Sequence, residues 1–152
     1  MIVRRSALVT QPASHLFDLI EAAEHYPSFL PWCAEARIIS RDEQQVSAEL
    51  KLSWHGVTFD LHTRNPKQRP HFMAIRLAQG PFSRFEGEWR LTELGASACK
   101  VAFLLDYEFN SAWMTRAAGT VFSRVADSLV DAFVAQAMAT APPEPAPPAS
   151  AA

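Results

Sequence analysis

The sequence predicts an α+β fold: a curved antiparallel sheet wrapped around one long C-terminal helix. Three observations carry that prediction. Between residues 34 and 109, apolar and polar side chains alternate with a period of two, the pattern of strands with one covered face. The links between these runs are too short for parallel crossovers, which need about a dozen residues. Residues 110–139 then repeat apolar side chains at three- and four-residue steps, which places them on one stripe of a long helix.

The elements follow in order. Residues 2–9 are rich in apolar and β-branched types and read as a first strand. Thr10 offers an N-cap and Pro12 a helix start, so Pro12 to about Glu24 reads as a helix with Leu16, Phe17, Leu19 and Ile20 on its apolar side. The next run, residues 25–32, carries Pro27 and Pro31 and reads as a turn-rich or short helical link. Residues 34–41 form a strand. Val46, Ala48, Leu50, Leu52 and Trp54 alternate with polar partners, Gly56 makes a tight turn, and Val57, Phe59 and Leu61 alternate again. Residues 65–70, with two prolines, read as a polar loop. Met73, Ile75 and Leu77 share one face of a strand over residues 72–79, which Gly80-Pro81 ends. Phe85, Gly87, Trp89 and Leu91 mark the next strand, and Cys99, Val101, Phe103, Leu105, Tyr107 and Phe109 the last, with a hairpin turn at residues 93–97. In the long helix, Asn110 or Ser111 caps the start, and the stripe is Met114, Ala118, Val121, Phe122, Val125, Leu129, Ala132 and Phe133. The expected domain is residues 1–139. Residues 140–152, almost entirely Ala and Pro, read as a disordered tail.

Composition narrows the function classes. A net charge of −2 argues against strong nonspecific nucleic-acid binding, and no DNA partner is expected. No apolar run approaches the length of a membrane span, and residues 1–9 lack the apolar core of a secretory signal, so the expected location is cytoplasmic. Cys33 and Cys99 have no metal-ligand spacing and read as free buried thiols. His15, His25, His55, His62 and His71 show no metal spacing either, and no nucleophile elbow or HExxH is present, so neither a metal site nor a catalytic residue is assigned.

The inward face is heavy in aromatics: Trp54, Phe59, Phe85, Trp89, Phe103, Tyr107 and Phe109. They read either as a filled core or as the wall of a ligand cavity between sheet and helix. Tyr26, Phe29, Leu30, Trp32, Phe82, Trp113 and Met114 place further apolar bulk at links and element starts. Gathered at one end, they make an apolar rim of the kind that marks a partner, a membrane surface or a cavity mouth.

Tyr26-Pro27-Ser28-Phe29-Leu30-Pro31-Trp32-Cys33 resembles a signature of the coenzyme Q-binding and ribosome-association-toxin (RatA-like) family of the START/polyketide-cyclase superfamily. Gly80-Pro81-Phe82 with Phe85 and Gly87-Glu88-Trp89 resembles a second block, and Cys99-Lys100-Val101 with Tyr107-Glu108-Phe109 a third. The last helix, Val121-Phe122 through Phe133, fits as well. The chain departs from the pattern at Ala22-Ala23, where the family has an acidic-aliphatic pair, and at Phe85, where it has an aliphatic residue; a bulky Phe85 narrows the pocket.

The resemblance implies a helix-grip (START/Bet v 1-like) fold that binds ubiquinone or a similar polyprenyl lipid noncovalently, as a carrier or chaperone supporting respiration. No covalent cofactor is implied. Some family members are instead toxins that bind the ribosome and block subunit association, which makes the ribosome the alternative partner. On this reading the cavity is lined by Phe29, Leu30, Trp32, Trp54, Phe59, Leu61, Ile75, Phe82, Phe85, Trp89, Phe103, Leu105, Tyr107, Val121, Phe122, Val125 and Leu129. Trp89 and Tyr107 are candidates to stack on a quinone ring, and Arg76, His62 or Tyr26 to hydrogen-bond its carbonyls. Peripheral contact with the inner face of a membrane, through Phe29, Leu30, Trp32 and Phe82, follows as an expectation.

Overall fold

Alternation along each strand dictates a single sheet with one dry face, and the computed structural model, which describes residues 1–140, has that arrangement. β1 (Ile2–Val9) is followed by α1 (Ala13–Glu21) and a 3₁₀ turn (Ala23–Ser28). β2 (Cys33–Arg41), β3 (Gln45–Trp54), β4 (Val57–Gln68), β5 (Phe72–Gln79), β6 (Phe82–Glu93) and β7 (Cys99–Phe109) come next, then α2 (Ala112–Ala139). The order across the sheet is β1-β7-β6-β5-β4-β3-β2, and every pairing is antiparallel. The α+β helix-grip architecture is therefore present: sequential hairpins build the sheet, β1 closes it against β7, and α2 lies over its apolar face. The expected tail, residues 140–152, falls outside the described residues beyond Thr140.

Most elements lie where alternation puts them. β7 is the clearest case, with Cys99, Val101, Phe103, Leu105, Tyr107 and Phe109 all buried. The β3–β4 hairpin turns on two residues, His55 at φ 47° and Gly56 at φ 82°. Positive φ at both positions belongs to the tight turn whose twist matches paired strands, and Gly56 adopts it without steric cost.

Three local expectations change. Pro12, not Thr10, stands at the N-cap of α1, and its carbonyl accepts from the His15 and Leu16 amides. The helix ends at Glu21 rather than Glu24, because Ala22 leaves helical geometry at ψ 62°. The expected loop at residues 65–70 is largely strand: β4 runs to Gln68, with Pro66 opposite Gln45 at the end of the β3 ladder, where a missing N–H donor matters least.

In α2, Ser111 is the cap, and its hydroxyl accepts from the Met114 amide at 3.1 Å. The buried stripe is Ala118, Phe122, Ala126, Val130, Phe133 and Ala137. Val121, Val125 and Leu129 stand one step around the helix and are half-buried. The three- and four-residue spacing fits both stripes. The small residues decide between them, because alanines let the helix axis approach the sheet while Phe122 and Phe133 reach into it.

Gly87 sits on the concave face between Phe85 and Trp89, where β6 passes close to β7. A Cβ built there would lie 2.4 Å from the Leu104 carbonyl oxygen. Glycine in a strand interior marks such a close approach of two backbones. Gly87→Ala is expected to destabilise the fold by about 1–3 kcal/mol, the usual range for overpacking; chemical denaturation checks this, and an unchanged midpoint contradicts it.

Candidate functional site

The concave face and α2 do not close completely on one another. Phe122 anchors one end of the contact. Its ring meets Tyr107, Phe82, Phe109, Phe59 and Phe85 with centroids 4.7–6.3 Å apart. Phe133 anchors the other end against Trp89 at 5.2 Å, Phe29 at 5.3 Å and Tyr26 at 5.4 Å. At 1.5 Å per residue the two anchors are roughly 16 Å apart along the helix. Between them α2 presents Ala126, Val125 and Leu129, which do not span the gap.

The result is a cavity with a volume of about 100 Å³, measured at the centre of a water-sized sphere. Its walls come from β3 (Val46, Ala48, Leu50, Leu52), β4 (Leu61, Thr63, Asn65), β5 (Met73, Ile75), β6 and β7 (Phe85, Trp89, Phe103, Leu105), and α1 with its following turn (Ile20, Glu21, Ala23, Tyr26). A second void of about 20 Å³ shares Trp32, Leu52, Phe122 and Val125 with the first and extends between Val121 of α2 and Trp54, Val57 and Phe59 of the β3–β4 hairpin.

The structure sorts the candidate lining residues. Trp32, Leu61, Ile75, Phe85, Trp89, Phe103, Leu105, Phe122, Val125 and Leu129 line the main void; Trp54, Phe59 and Val121 line the second. Phe29, Leu30, Phe82 and Tyr107 line neither. Leu30 is fully buried, and Phe82 stacks on Phe109 at 4.7 Å, so these two are packing residues rather than an apolar rim. The Tyr107 hydroxyl meets Met1 Sδ at 3.1 Å, and its ring packs on Phe122, so it cannot stack on a cavity ligand. Trp32 is held at the wall because its carbonyl accepts from the Ser53 amide at 2.9 Å, which ties the aromatic link to the edge of β3.

Two of the three proposed polar partners face elsewhere. His62 lies on the outer face, where its Nε2 meets Ser47 Oγ at 2.9 Å, and Arg76 is exposed on the outer face of β5. Tyr26 does line the cavity, but its hydroxyl donates to the Ile20 carbonyl. Burial raises the Tyr26 phenol well above its ordinary range, so it remains protonated.

Sequence reasoning missed the polar end, which is built from Glu21, Thr63 and Asn65. The signal was present: the inward alternation Phe59, Leu61, Thr63, Asn65, Lys67 continues through Pro66, and the prolines hid it. Glu21 accepts from Lys67 and from Arg69, and Arg69 also reaches Asp18. Lys67 is buried, with a side chain only 2% exposed, so Glu21 is its counter-charge. Both Glu21 oxygens are thereby occupied. Among the described residues no three His, Cys, Asp or Glu cluster to hold a metal ion. No helix among them is long and apolar enough to cross a membrane.

Comparison with known proteins places this architecture. Residues 9–134 match the family model described as polyketide cyclase / dehydrase and lipid transport. The chain belongs to that family. Two curated relatives place it in the family's RatA-like and Coq10 group. The ribosome association toxin RatA of Pseudomonas aeruginosa is 33% identical over 135 residues, which cover 89% of this chain and 94% of that protein. The mitochondrial coenzyme Q-binding protein coq10 of Schizosaccharomyces pombe is 27% identical, covering 88% of this chain and 85% of its own length. Among solved structures, the Zhui aromatase/cyclase of Streptomyces sp. R1128 superposes with a TM-score of 0.78 at 17% identity, covering 91% of this chain and 93% of that one. At that identity the likeness concerns the fold alone.

Family members share the grip of sheet on helix, and in this chain the link from the turn to β2 ends in a buried thiol. Burial pushes Cys33 up to about 11 and also raises Cys99, and both are free. The folded state therefore holds the Cys33 proton after an unfolded thiol has lost it, and stability falls as pH rises from the ordinary thiol range near 9 towards 11. Cys33→Ala is expected to flatten that fall in thermal melts. Alkylation of native protein at neutral pH is expected to be far slower than after unfolding; equal rates contradict the burial.

Proposed function

We propose that this protein binds an apolar ligand of the polyprenyl-quinone or related lipid class in the cavity under α2, as a carrier or chaperone, without performing chemistry on it. The observation that carries the reading is the unfilled gap between the Phe122 and Phe133 anchors, apolar along its length and polar at one end. A buried void with a few placed polar groups is the usual form of a small-molecule site. The name of the coq10 relative supports the ligand class. Glu21 is the only carboxylate on the described wall, and its engagement with Lys67 and Arg69 leaves it a structural rather than a reactive group.

Size and energetics shape the mode of binding. A void of about 100 Å³ takes one ring or a few methylene groups, whereas a single water needs about 10–15 Å³ on this measure. A long chain therefore leaves past Trp32 and Val125 into the second void and out at the β3–β4 hairpin tip, where Trp54 is partly exposed. Each CH₂ taken from water contributes about 0.8 kcal/mol. A ligand drawn from a membrane is already out of water, so the net gain is small and exchange is easy, as a carrier requires. A cytoplasmic protein that meets the membrane only at its surface fits this role.

A second reading is favoured by the RatA relatives: association with a ribosomal subunit. On the outer face Arg64 of β4 stands directly opposite Arg76 of β5, both exposed; Glu86 of β6 stands opposite Arg76 on its other side, and neither arginine has a carboxylate within ion-pair distance among the described residues. Like charges facing one another across strands are unfavourable unless an anion lies between them, and RNA phosphate is such an anion.

Two measurements test the readings. Mass spectrometry of protein purified from a quinone-producing host is expected to find a stoichiometric quinone or lipid, lost in Leu129→Trp, which fills the void; no ligand in either sample refutes the carrier reading. For the ribosome reading, Arg64→Glu/Arg76→Glu is expected to reduce co-sedimentation with ribosomal subunits at low salt by tenfold or more, since each lost phosphate contact weakens binding; unchanged sedimentation refutes a role for this face.

A further inference from the structure

We propose that the end of the fold where α2 begins and the β3–β4 hairpin turns is a docking surface for an anionic lipid bilayer, with Trp113 and Trp54 entering the headgroup layer and Arg116 meeting lipid phosphate. This rests on the proposal that the cavity carries an apolar ligand drawn from a membrane, and it specifies the end from which that ligand passes.

Strand direction brings the two tryptophans to one end. β3 ends at Trp54 and β4 begins at Val57. β6 begins at Phe82, opposite Phe109, the last residue of β7, and α2 starts at Ala112. The Phe59 ring of the hairpin packs on Phe82, Phe109 and Phe122 with centroids 5.9–6.2 Å away, so the hairpin and the first half of α2 meet. The second void lies between them, with Trp54 on one side and Ala118 and Val121 on the other. Trp113 is 66% exposed and Trp54 36%. Trp113 stands in the first turn of α2, and helical side chains tilt towards the N-terminus, which directs it past the start of the helix. An indole is apolar along most of its ring and polar at its N–H, which suits the interface between lipid and water.

The charges select the partner. Trp113, Arg116, Thr120, Arg124, Asp127 and Asp131 share one outward stripe of α2 at 3.6 residues per turn. The stripe is basic in its first half and acidic in its second. Arg116 and Arg124 are exposed and have no carboxylate within ion-pair distance among the described residues, whereas Asp127 pairs with Arg5. The first turn of α2 holds no acidic residue, so the positive end of the helix dipole adds to Arg116. The carboxylates at this end are matched: Asp106 and Glu108 of β7 pair with Arg84, and Asp60 of β4 stands opposite Lys51. The other end of the sheet also exposes apolar side chains, Leu8, Leu94 and Met138, but none is aromatic, and α2 is acidic on the way to it. An anionic bilayer therefore favours the tryptophan end.

The test is flotation of the full chain with vesicles of phosphatidylcholine and phosphatidylglycerol, beside vesicles of phosphatidylcholine alone. Wild type is expected to float with the anionic vesicles and less with the neutral ones. Trp113→Ser is expected to lower partition about tenfold, as the loss of one buried large side chain, and Arg116→Ala about fivefold, as the loss of one cation at an anionic surface. Both positions are exposed, so thermal melts of the variants are expected to match wild type, and Trp54→Ser provides an independent variant on the hairpin. Leu129→Trp, which fills the void, is expected to float as wild type does. No flotation of wild type, or equal flotation of wild type and Trp113→Ser, overturns the docking surface and leaves the cavity reading intact. Loss of flotation in Leu129→Trp assigns vesicle binding to the cavity and overturns it as well. Unchanged flotation of Trp113→Ser with lost co-sedimentation on ribosomal subunits assigns this end to RNA and also overturns it.

Discussion

The structure depends on how α2 is pinned to the sheet. Phe122 and Phe133 are the two large side chains on the buried stripe of the helix, and each is surrounded by rings from the sheet or from the Tyr26–Phe29 turn. Edge-to-face and tilted arrangements dominate, which suits the aromatic quadrupole and locks ring orientation. Between the pins the helix offers Ala126, a residue too small to reach the concave face. The void is thus a consequence of composition along one stripe. A bulky residue at position 126 would turn the same architecture into a filled core.

The second constraint is electrostatic. Lys67 points inward from a strand whose neighbours on the same face are Leu61, Thr63 and Asn65, and a buried ammonium is tolerated only with a counter-charge. Glu21 supplies it from the last turn of α1, and Arg69 and Asp18 extend the network towards the surface, with the Arg69 guanidinium 4.9 Å from the Phe17 ring. The network ties α1 to the end of β4 and so fixes the polar end of the cavity opposite its aromatic middle. Arg41 and Glu24 make a comparable surface pair. There burial raises the Glu24 carboxyl, but the hydrogen bond and charge of Arg41, a backbone hydrogen bond and the charge of His25 together outweigh it and leave the group below its ordinary value.

On the two proposed readings, the two faces of the sheet carry different features. The concave face with α2 holds the void; the outer face carries the Arg64–Arg76 juxtaposition and the ion pairs of β2, β3, β6 and β7. A strand alternates between them with every residue, so one face varies without disturbing the other. This separation gives a physical basis for relatives of one fold named for a toxin that associates with ribosomes and for a coenzyme Q-binding protein.

The sequence by itself determined the strand set, the antiparallel connections and the long helix, because periods of two and of about 3.6 residues are written directly in the order of apolar residues, while its motif blocks from Tyr26, Gly80 and Cys99 carried the resemblance to the family. It also named part of the wall of the void, such as Leu61, Ile75, Phe85, Trp89, Phe103 and Leu105, which follow from alternation along β4 to β7, but not the β3 residues Val46, Ala48, Leu50 and Leu52. The tertiary structure decided what alternation leaves degenerate. It chose which of two adjacent stripes of α2 is buried, through the small volume of Ala118, Ala126 and Ala137. It put Leu30, Phe82 and Tyr107 in the packing rather than on the void, because depth along a strand depends on which rings arrive from elsewhere. It carried β4 past Pro66, bringing Asn65 and Lys67 inward, because a proline at the end of a ladder gives up little hydrogen bonding.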